Sequence, residues 1–361
     1  MFNSVYENRR VMVTGHTGFK GSWLCAWLLE LGAEVCGYSV DVPTQPSNFE
    51  ILGLEDLITH VQDDVRDREA LIKVMDDFKP EMVFHLAAQA LVRRAYDDPV
   101  GTFETNTMGT LNVLECLRHS SSVQAAVIIT SDKCYRNVEW PWGYRETDTL
   151  GGEDPYSSSK GCAELIIYSY LNSYFDQGPR VASARAGNVI GGGDWAPDRI
   201  VPDAVRTWSK KQPVVVRNPD STRPWQHVLE PLSGYLSLGA KLWQKDPLAI
   251  AQAFNFGPDA SINQSVSELL TAMIEHWPGM EWQVERSEDE KKKESSLLKL
   301  SCDKALNLLS WRAILTFEEA INLTVEWYRS YYDQGADMIK KTRDQIRAYT
   351  QKATDRKMWW A

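Results

Sequence analysis

A glycine-rich loop near the start of the chain restricts the fold more than any other segment. Val11–Thr14 is an apolar run of strand length, and Phe19–Leu31 has the apolar spacing of an amphipathic helix that ends near Gly32. The loop between them reads Gly-His-Thr-Gly-Phe-Lys-Gly over positions 15 to 21. Glycines at this place permit a tight turn and let backbone N–H groups approach a pyrophosphate at the positive end of the helix. The spacing, G-x-x-G-x-x-G, predicts dinucleotide binding rather than a structural turn, because a strand precedes it and a helix follows.

The alternation of strand and helix that begins at this loop continues through the first half of the chain. Apolar runs predict further strands at Glu34–Tyr38, Ile58–Val61, Met82–Ala87, Ala125–Thr130 and Val181–Ala186. Helical spacing predicts helices between them, for example at Glu69–Phe78 and Thr102–Arg118. Such alternation produces a parallel sheet with helices on both faces, so the predicted class is α/β with a Rossmann-type doubly wound parallel sheet.

Beyond about Gly187 the alternation becomes irregular, and we place a domain boundary there. Residues 1–187 are predicted to form a dinucleotide-binding domain, which includes the helix that follows Pro155. Residues 188–361 are predicted to form mainly a smaller mixed α/β lobe for the substrate, with some strands and helices returning to the first domain. A chain of 361 residues and 41.0 kDa is long enough for two lobes that share a cleft.

Composition argues against several classes of function. The formal net charge of −10 would repel nucleic acid. Because no C-x-x-C pair occurs, we expect reduced thiols in a cytoplasmic protein. The cysteines are Cys25, Cys36, Cys116, Cys134, Cys162 and Cys302. Cysteines and histidines do not cluster, so we expect no metal. We also expect no membrane segment, because the chain has no secretion signal and no uncharged apolar run of about 18 residues.

An Asp-Pro pair marks the start of the helix that carries the candidate base. If Asp154 caps this helix and Pro155 is its first residue, Tyr156 and Lys160 lie four residues apart on one face. A phenol has an ordinary pKa of about 10, and a fixed ammonium group nearby would lower this pKa and make Tyr156 a usable base. By itself such a pair could be an exposed tyrosine beside an exposed lysine. The glycine loop and the Ser-Asp-Lys cluster at positions 131–133 favour the catalytic interpretation.

Two acidic residues could recognise the dinucleotide. Asp41 lies in roughly the range where an acidic residue meets the ribose hydroxyls, although it comes slightly late. No arginine lies at this strand end, which favours NAD over the phosphorylated cofactor. Asp64, after the third strand, could accept hydrogen bonds from the adenine amino group, and an ordinary loop aspartate is the equally open alternative.

The region after Gly187 contains candidates for substrate binding. Arg223 is the best candidate to hold a diphosphate, because a guanidinium group matches pairs of phosphate oxygens. A surface ion pair is its alternative. Asp198–Trp208 is predicted to be helical, and the charged run Glu288–Glu294 to be a solvated loop or helix end. The segment from Ile339 onward is helical in pattern, and we assign it no chemistry.

Together these motifs resemble those of the extended short-chain dehydrogenase/reductase family, the NAD-dependent epimerases and dehydratases, and specifically its nucleotide-sugar 4,6-dehydratases. The resemblance extends over nearly the whole chain, from Gly15 to about Tyr328. Its motifs are the glycine loop, His85-Leu86-Ala87-Ala88, Thr105-Asn106 with Gly109-Thr110, Tyr156 with Lys160, Arg185 with Asn188-Val189, and Arg223-Pro224-Trp225. The family usually has Thr-Asp-Glu where this chain has Ser131-Asp132-Lys133. This departure, the His and Lys of the glycine loop and the Gly-Gly-Gly-Asp-Trp run are similar to the dehydratases that act on CDP-glucose.

The resemblance implies CDP-glucose as substrate, recycled NAD as cofactor and a hydro-lyase reaction. It also implies a homodimer or homotetramer, and a place in making the deoxy- and dideoxyhexoses of bacterial O-antigen lipopolysaccharide. Cofactor contacts are implied for Gly15, Thr17, Gly18, Phe19, Lys20, Gly21, Asp41, Asp64, Val65, Leu86, Ala87, Ala88, Asn106, Tyr156 and Lys160. Substrate contacts are implied for Gln89, Asn188, Arg199, Arg223 and His227.

The predicted roles follow the order of the reaction: oxidation at C4, loss of water across C5 and C6, and return of the hydride to C6. Tyr156 would take the C4 hydroxyl proton, with Lys160 lowering its pKa and holding the nicotinamide ribose. Ser131 would hydrogen-bond the developing C4 oxygen. Elimination needs a base at C5 and an acid at C6, which we assign to Lys133 and Asp132. An Asp132–Lys133 ion pair would disable both roles and is the open alternative.

Two other functions stay open. A nucleotide-sugar 4-epimerase of the same fold needs the tyrosine, the lysine and NAD, but it has no use for Asp132 as an acid. A non-catalytic NAD-sensing module would bind NAD with vestigial catalytic residues. The intact Ser131, Tyr156 and Lys160 count against this second alternative.

Overall fold

The computed structural model describes residues 1–285 and 297–361, so the charged run predicted at Glu288–Glu294 lies outside the described residues. The strands are β1 (Arg10–Thr14), β2 (Glu34–Ser39), β3 (Thr59–Gln62), β4 (Met82–His85), β5 (Ala125–Ile129), β6 (Arg180–Arg185), β7 (Val189–Ile190), β8 (Val214–Val216), β9 (Thr222–Arg223), β10 (Gln226–His227), β11 (Ala253–Asn255), β12 (Gln264–Ser265) and β13 (Trp282–Val284). The α-helices are α1 (Phe19–Glu30), α2 (Asn48–Ile51), α3 (Arg68–Phe78), α4 (Val92–Asp97), α5 (Pro99–Phe103), α6 (Gly109–His119), α7 (Pro155–Ser173), α8 (Ile200–Trp208), α9 (Leu229–Trp243), α10 (Val266–His276), α11 (Asp303–Leu309), α12 (Phe317–Tyr332) and α13 (Met338–Asp355).

A parallel sheet of seven strands forms the centre of the molecule, in the order β11-β6-β5-β4-β1-β2-β3. Each neighbouring pair is parallel, so the carboxyl ends of all these strands meet at one edge. The strand order reverses between β1 and β4, and ligands of such sheets bind at this switch point. The predicted doubly wound α/β class and the six predicted strands are confirmed, with every boundary within two residues.

The edge strand β11 is the member of this sheet that the sequence pattern does not predict. It has three residues and follows a turn-rich stretch, so it offers too few positions to show a period of two. It pairs with β6 from Ala253 opposite Ser183 to Asn255 opposite Arg185. The described part of the second half also contains the small two-stranded sheets β10-β7, β12-β9 and β13-β8. The domain boundary at residue 187 stays a prediction.

The helix predicted over Thr102–Arg118 has three parts. A π-helical turn, Glu104–Met108, separates α5 from α6, and Asn106 within this turn is fully buried. Such turns occur often at functional sites. The helix predicted from Asp198 begins instead at Ile200, because Asp198 has a φ of 62°, in the left-handed region.

The two faces of the sheet carry separate apolar cores. Val11 and Val13 of β1 pack on one face with Trp23 and Trp27 of α1, which are completely buried. Met12 points to the other face, where α3, α6 and α7 contribute the core residues. Each large apolar side chain buried in this way contributes about 2–3 kcal/mol to folding. Among the helices of the described residues, none combines the length and the apolar character that crossing a bilayer requires.

Candidate active site

The glycine loop between β1 and α1 has a geometry that requires glycine at two positions. Gly15 has a φ of 76°, and a Cβ there would lie 2.6 Å from the backbone nitrogen of Ala87. A Cβ on Gly21 would lie 2.1 Å from the carbonyl oxygen of Gly15. Gly18 is the N-cap of α1, and in the described chain no side chain caps the N–H groups of this first turn. The loop can therefore bring backbone donors to an anion such as a pyrophosphate.

The helix α7 places Tyr156 and Lys160 on one face, at the carboxyl edge of the sheet. The Asp154 side chain accepts the Ser157 N–H at 3.0 Å, and Pro155 is the first residue of the helix. The predicted start of this helix is confirmed. Tyr156 and Lys160 are both buried, with exposed fractions of 8% and 5%. The exposed pair that the spacing alone would allow is therefore not what forms.

The protonation of Tyr156 differs from the sequence expectation. Burial of the phenol raises its pKa to about 12, and a hydrogen bond with Ser131 partly opposes this rise. The negative charge of Asp132 raises the pKa further, whereas the positive charge of Arg199 lowers it. Desolvation is thus the largest influence on the pKa of Tyr156, and the cation that lowers this pKa is Arg199, where we expected Lys160.

Two lysines with lowered pKa values face the same space. Burial lowers the pKa of Lys160 to about 8, and the charge of Lys20 on α1 lowers it too. Burial and the charge of Arg199 lower the pKa of Lys20 to about 8. The Lys20 Nζ lies 5.9 Å from the ring centre of Tyr235, which belongs to α9. Because basic groups from three helices converge here, the site suits an anionic ligand.

Ser131, Asp132 and Lys133 lie directly after β5. The Ser131 hydroxyl donates to Asp132 Oδ1 at 3.0 Å and accepts the Lys133 backbone N–H at 3.2 Å. Asn188, with a φ of 51°, donates from Nδ2 to Asp132 Oδ2 at 3.4 Å. A Cβ on Gly187 would lie 1.9 Å from that same oxygen, so this glycine makes room for the carboxyl group. Across the described residues Asp132 and Lys133 form no ion pair with each other, so the pairing that would disable both is not formed.

The two acidic candidates for the adenosine end lie in different settings. Asp41 is exposed just beyond β2, and its backbone oxygen accepts the Thr17 hydroxyl at 2.6 Å. Asp64 is held by Arg66, whose Nε and Nη2 donate to its carboxylate at 2.9 and 2.6 Å. Burial alone would raise the pKa of Asp64, but the hydrogen bonds from Arg66 lower it below its ordinary value. The contact of Asp64 with adenine stays a prediction. The adenine amino group would have to share the Asp64 carboxylate with Arg66.

The other predicted cofactor residues line the ends of β3 and β4. The Leu86 and Ala87 N–H groups donate to the carbonyl and hydroxyl oxygens of Thr14 at 3.0 and 3.3 Å. Ala88 follows them, and Val65 is buried where a Cβ on Gly109 would lie 2.8 Å away. Phe19 begins α1 directly after the glycine turn.

The amide side chains of Asn106 and Gln89 are engaged inside the protein. Asn106 accepts the Gln89 N–H at 2.8 Å and donates to the Gln89 carbonyl at 3.0 Å and the Ser159 hydroxyl at 2.9 Å. The Gln89 side chain bonds to the backbone of Leu91 and to the hydroxyl of Thr102. Both residues brace the end of β4 against α7, and their ligand contacts stay predictions.

The predicted substrate residues are not all at the same place. Arg199, the N-cap of α8, donates to Asp194 Oδ2 at 2.9 Å and influences Tyr156 by its charge. Arg223 lies in β9 and donates to a backbone carbonyl at 2.8 Å. His227 is completely buried, with its ring centre 5.9 Å from that of Trp23, and burial lowers its pKa to about 3. The contact of His227 with a ligand stays a prediction. The side chain would have to make this contact from within the core.

Three residues at or behind the site are missing from the sequence prediction. Tyr235 and Asp194 come from segments that the sequence pattern does not connect with α7. The sequence could have predicted the position of Glu164, because it lies four residues after Lys160 and therefore one turn further along the same helical face. In the described parts of the chain, no group of histidine, cysteine or acidic side chains could hold a metal ion.

The family model described as GDP-mannose 4,6 dehydratase matches residues 12–324. The chain belongs to this family. The chain is 45% identical over 356 residues to a CDP-glucose 4,6-dehydratase of Salmonella typhimurium. The match covers 97% of this chain and 98% of that relative. It is 23% identical to a dTDP-glucose 4,6-dehydratase of Xanthomonas campestris, covering 88% and 92% of the two chains.

Solved structures agree with the fold of the GDP-mannose 4,6 dehydratase family. The epimerase Mth375 of Methanothermobacter thermautotrophicus has a TM-score of 0.80 and 25% identity, covering 94% of this chain and 96% of that one. A dTDP-glucose 4,6-dehydratase of Bacillus anthracis in complex with NAD has a TM-score of 0.74 and 21% identity, covering 90% and 98%. At this identity, the second likeness concerns the fold alone.

Proposed function

We propose that this protein is an NAD-dependent dehydratase that converts CDP-D-glucose to CDP-4-dehydro-6-deoxy-D-glucose and water. The observation that carries the proposal is the 45% identity to a CDP-glucose 4,6-dehydratase along 97% of the chain. The geometry supports the same reaction class, because the Asp132 carboxyl group lies at the carboxyl edge of the sheet, hydrogen-bonded to Ser131 and Asn188. An oxidation step alone needs no carboxyl group at that place.

The residues present fit NAD. A Cβ at either Gly15 or Gly21 would fill the cradle in front of α1, and the first turn of this helix offers backbone donors for a pyrophosphate. Asp41 is exposed beyond β2, where an acidic residue can meet the ribose hydroxyls. When bound, NAD accepts the hydride from C4 and returns it to C6, so that it ends the cycle oxidised.

In the first step Tyr156 accepts the proton of the C4 hydroxyl. The Ser131 hydroxyl, which donates to Asp132 Oδ1 in the structure, turns to donate a hydrogen bond to the oxygen that becomes the ketone. The raised pKa of Tyr156 makes it a poor base on its own, so the positive charges around it must stabilise the phenolate. Arg199 supplies one such charge from α8, and we assign the same role to Lys160, one turn further along α7.

In the second step the C4 ketone acidifies the hydrogen at C5. We assign the removal of this proton to Lys133 as the base and the protonation of the leaving C6 hydroxyl to Asp132 as the acid. The Ser131 hydroxyl and the Asn188 amide hold the Asp132 carboxyl group from two sides. No protein ion pair ties Lys133 to Asp132 in the described chain, which leaves both groups available for these separate roles.

Product NMR tests the proposal directly. The protein is incubated in D2O with NAD and, separately, with CDP-, dTDP-, GDP- and UDP-glucose. We expect a C6 methyl signal, with deuterium at C5, from CDP-glucose. A methyl signal from another nucleotide sugar would correct the base. Inversion at C4 without a methyl signal would make the protein a 4-epimerase, and NAD binding without any turnover would favour the sensing module.

The variant Lys133→Met tests the assignment of the C5 base in the same experiment. It should still reduce NAD transiently but incorporate no deuterium at C5. Lys210→Met is the matched control, because Lys210 is exposed after the end of α8 and should behave like wild type. If C5 exchange survived in Lys133→Met, another residue would be the base.

We further propose a cytoplasmic homodimer. The six cysteines are all free, which suits a reducing compartment.

A shallow groove of about 400 Å³ on α5 and the π-helical turn is lined by Val100, Phe103 and Met108 among others. Leu165 and Tyr168 of α7, which contacts α5, are also exposed. Exposed apolar side chains on two touching helices fit pairing with a second copy. Light scattering of the protein, with Tyr168→Glu as the disrupting variant, measures whether the dimer forms.

A further inference from the structure

Glu164 lies behind the proposed base and has no part in the steps derived so far. Tyr156, Lys160 and Glu164 follow one another at intervals of four residues, so they occupy successive turns of one face of α7. Glu164 is only 3% exposed. A carboxylate at such depth is unfavourable unless it is paired and hydrogen-bonded.

The Glu164 carboxylate is bonded to both strands that carry the catalytic edge. Arg185 Nη2 donates to Oε2 at 2.8 Å, and the Ser183 hydroxyl donates to the same oxygen at 3.0 Å. The Thr130 hydroxyl donates to Oε1. Ser183 and Arg185 belong to β6, and Thr130 follows β5 directly before Ser131. These donors all stabilise the ionised form of Glu164.

The Arg185 side chain is also buried and hydrogen-bonded, which holds it beside Glu164 as an ion pair. It is 4% exposed, and its Nη1 donates to the Tyr135 hydroxyl at 2.7 Å. Its guanidinium carbon lies 4.9 Å from the Tyr135 ring centre, and the Tyr135 hydroxyl donates to Asn255 Oδ1 of β11 at 2.8 Å. The negative charge of Glu164 is thus held at a fixed place relative to Lys160.

The groups from other elements that act on Lys160 carry no negative charge, and the charge of Asp132 after β5 acts on Tyr156 and Lys20 instead. Lys20 of α1 is a second cation, and His85 of β4 has a pKa lowered by burial to about 3, so it is neutral. Cys134 follows β5, and burial raises the pKa of its thiol well above the ordinary value, so it is neutral as well. Among the groups of the described chain that act on Lys160, the Glu164 carboxylate is the formal anion.

We propose that Glu164, held ionised by Arg185, is a positioning residue that keeps Lys160 protonated and thereby sets the alkaline end of the pH range in which C4 is oxidised. This inference rests on the proposed function, since it concerns the residue that supports Tyr156 in that reaction. Burial and Lys20 both favour the neutral amine of Lys160, and Glu164 opposes them from one turn away.

The pH dependence of kcat tests this role. Glu164→Gln keeps the size of the side chain and removes its charge. We expect the alkaline limb of the profile to move to lower pH by about one unit, because a carboxylate one helical turn away favours the protonated amine. The KM for the nucleotide sugar should stay unchanged. Glu164→Asp retains the charge and should return the limb toward its wild-type position.

Ser183→Ala is the matched control, because it removes one hydrogen bond from the same carboxylate oxygen without removing charge. Its alkaline limb should coincide with that of wild type. An unmoved limb in Glu164→Gln, or an equal shift in Ser183→Ala, would overturn the inference. If Glu164→Gln did not fold, Glu164→Gln/Arg185→Gln would replace it, because no unpaired charge is left buried. Its limb must also move to lower pH.

The outcomes separate the two proposals. Wild-type protein that turns over none of the four nucleotide sugars would refute the proposed function, and the inference with it. Wild-type protein that dehydrates CDP-glucose, together with a Glu164→Gln variant whose limb is unmoved, would refute the inference alone.

Discussion

Two glutamates lie almost completely inside the protein, and their surroundings differ in charge. Burial would raise the pKa of Glu164, but the charge and hydrogen bond of Arg185 lower it below its ordinary value. Glu230 of α9 accepts the backbone N–H groups of Ile314 and Leu315 at 2.8 and 2.5 Å and the hydroxyl of Tyr349 at 2.8 Å. It forms no ion pair within the described chain, and burial raises its pKa to about 7.

The comparison shows that a paired cation determines whether the pKa of a buried glutamate is lowered or raised. Both carboxyl groups accept three or more hydrogen bonds, so hydrogen bonding alone does not distinguish them. With Arg185 beside it, Glu164 is a fixed charge one turn from Lys160. Without such a partner, the pKa of Glu230 is raised by burial to about 7, and the side chain connects α9 to α13 through Tyr349. We therefore regard the first as part of the catalytic edge and the second as part of the scaffold.

The largest expected effect separates the tyrosines of the two regions. Tyr156→Phe should lower kcat about 100- to 10,000-fold, because the base of the first step is lost. Tyr349→Phe, the matched variant, should leave kcat within about twofold and lower the free energy of unfolding by about 1 kcal/mol, because it removes one buried hydrogen bond. Steady-state kinetics and urea unfolding measure both. A Tyr156→Phe variant with near-normal turnover would exclude this residue as the base.

A smaller effect is expected for the stability of the two glutamine variants. Glu164→Gln should lower the free energy of unfolding by about 3–5 kcal/mol, because the buried charge of Arg185 loses its partner. Glu230→Gln should change it by about 1 kcal/mol or less near neutral pH, since an amide can keep the backbone bonds and donate to the Tyr349 hydroxyl. Urea unfolding at pH 7 provides the comparison. Equal losses in the two variants would show that the Arg185 pairing does not distinguish these sites.

The smallest effect concerns how the stability contributed by Glu230 changes with pH. The folded-state pKa of Glu230 is about 7, above the ordinary value of 4.5, so the folded protein holds this proton more tightly than the unfolded chain. Its contribution is complete below the unfolded pKa and is lost as the pH rises through 7. Between about pH 5 and about pH 8, wild type should lose on the order of 1–3 kcal/mol of unfolding free energy relative to Glu230→Gln. Parallel pH series of urea unfolding measure this difference, and parallel curves would contradict it.

Much of the fold can be predicted from the sequence because the information is local. The apolar runs of β1 to β6 and the Asp-Pro start of α7 are written in neighbouring residues, and the structure has them within two residues of the prediction. The strand β11 is too short to show a period, and its place is decided by pairing with β6. The π-helical turn at Asn106 is likewise decided by contacts with Gln89 and Ser159 from outside the helix.

The site is predicted less completely, for an electrostatic reason. The spacing of Tyr156 and Lys160 correctly places them on one face of α7. Their pKa values depend on burial and on charges from α1 and α8, which the sequence does not bring together. The sequence predicts that Lys160 lowers the pKa of the Tyr156 phenol. This prediction was wrong, because burial removes hydration from the phenol and thereby raises its pKa.

The late position of β11 in the chain has a consequence for biosynthesis. Asn255 anchors Tyr135, which in turn bonds to Arg185, so the edge of the sheet next to the reactive residues is finished by a strand that emerges from the ribosome well after β6. Until residue 255 has been translated, β6 is an uncovered edge with free backbone groups. The nascent nucleotide-binding half is therefore aggregation-prone for the time that the ribosome needs to add about 70 residues, several seconds at ordinary elongation rates.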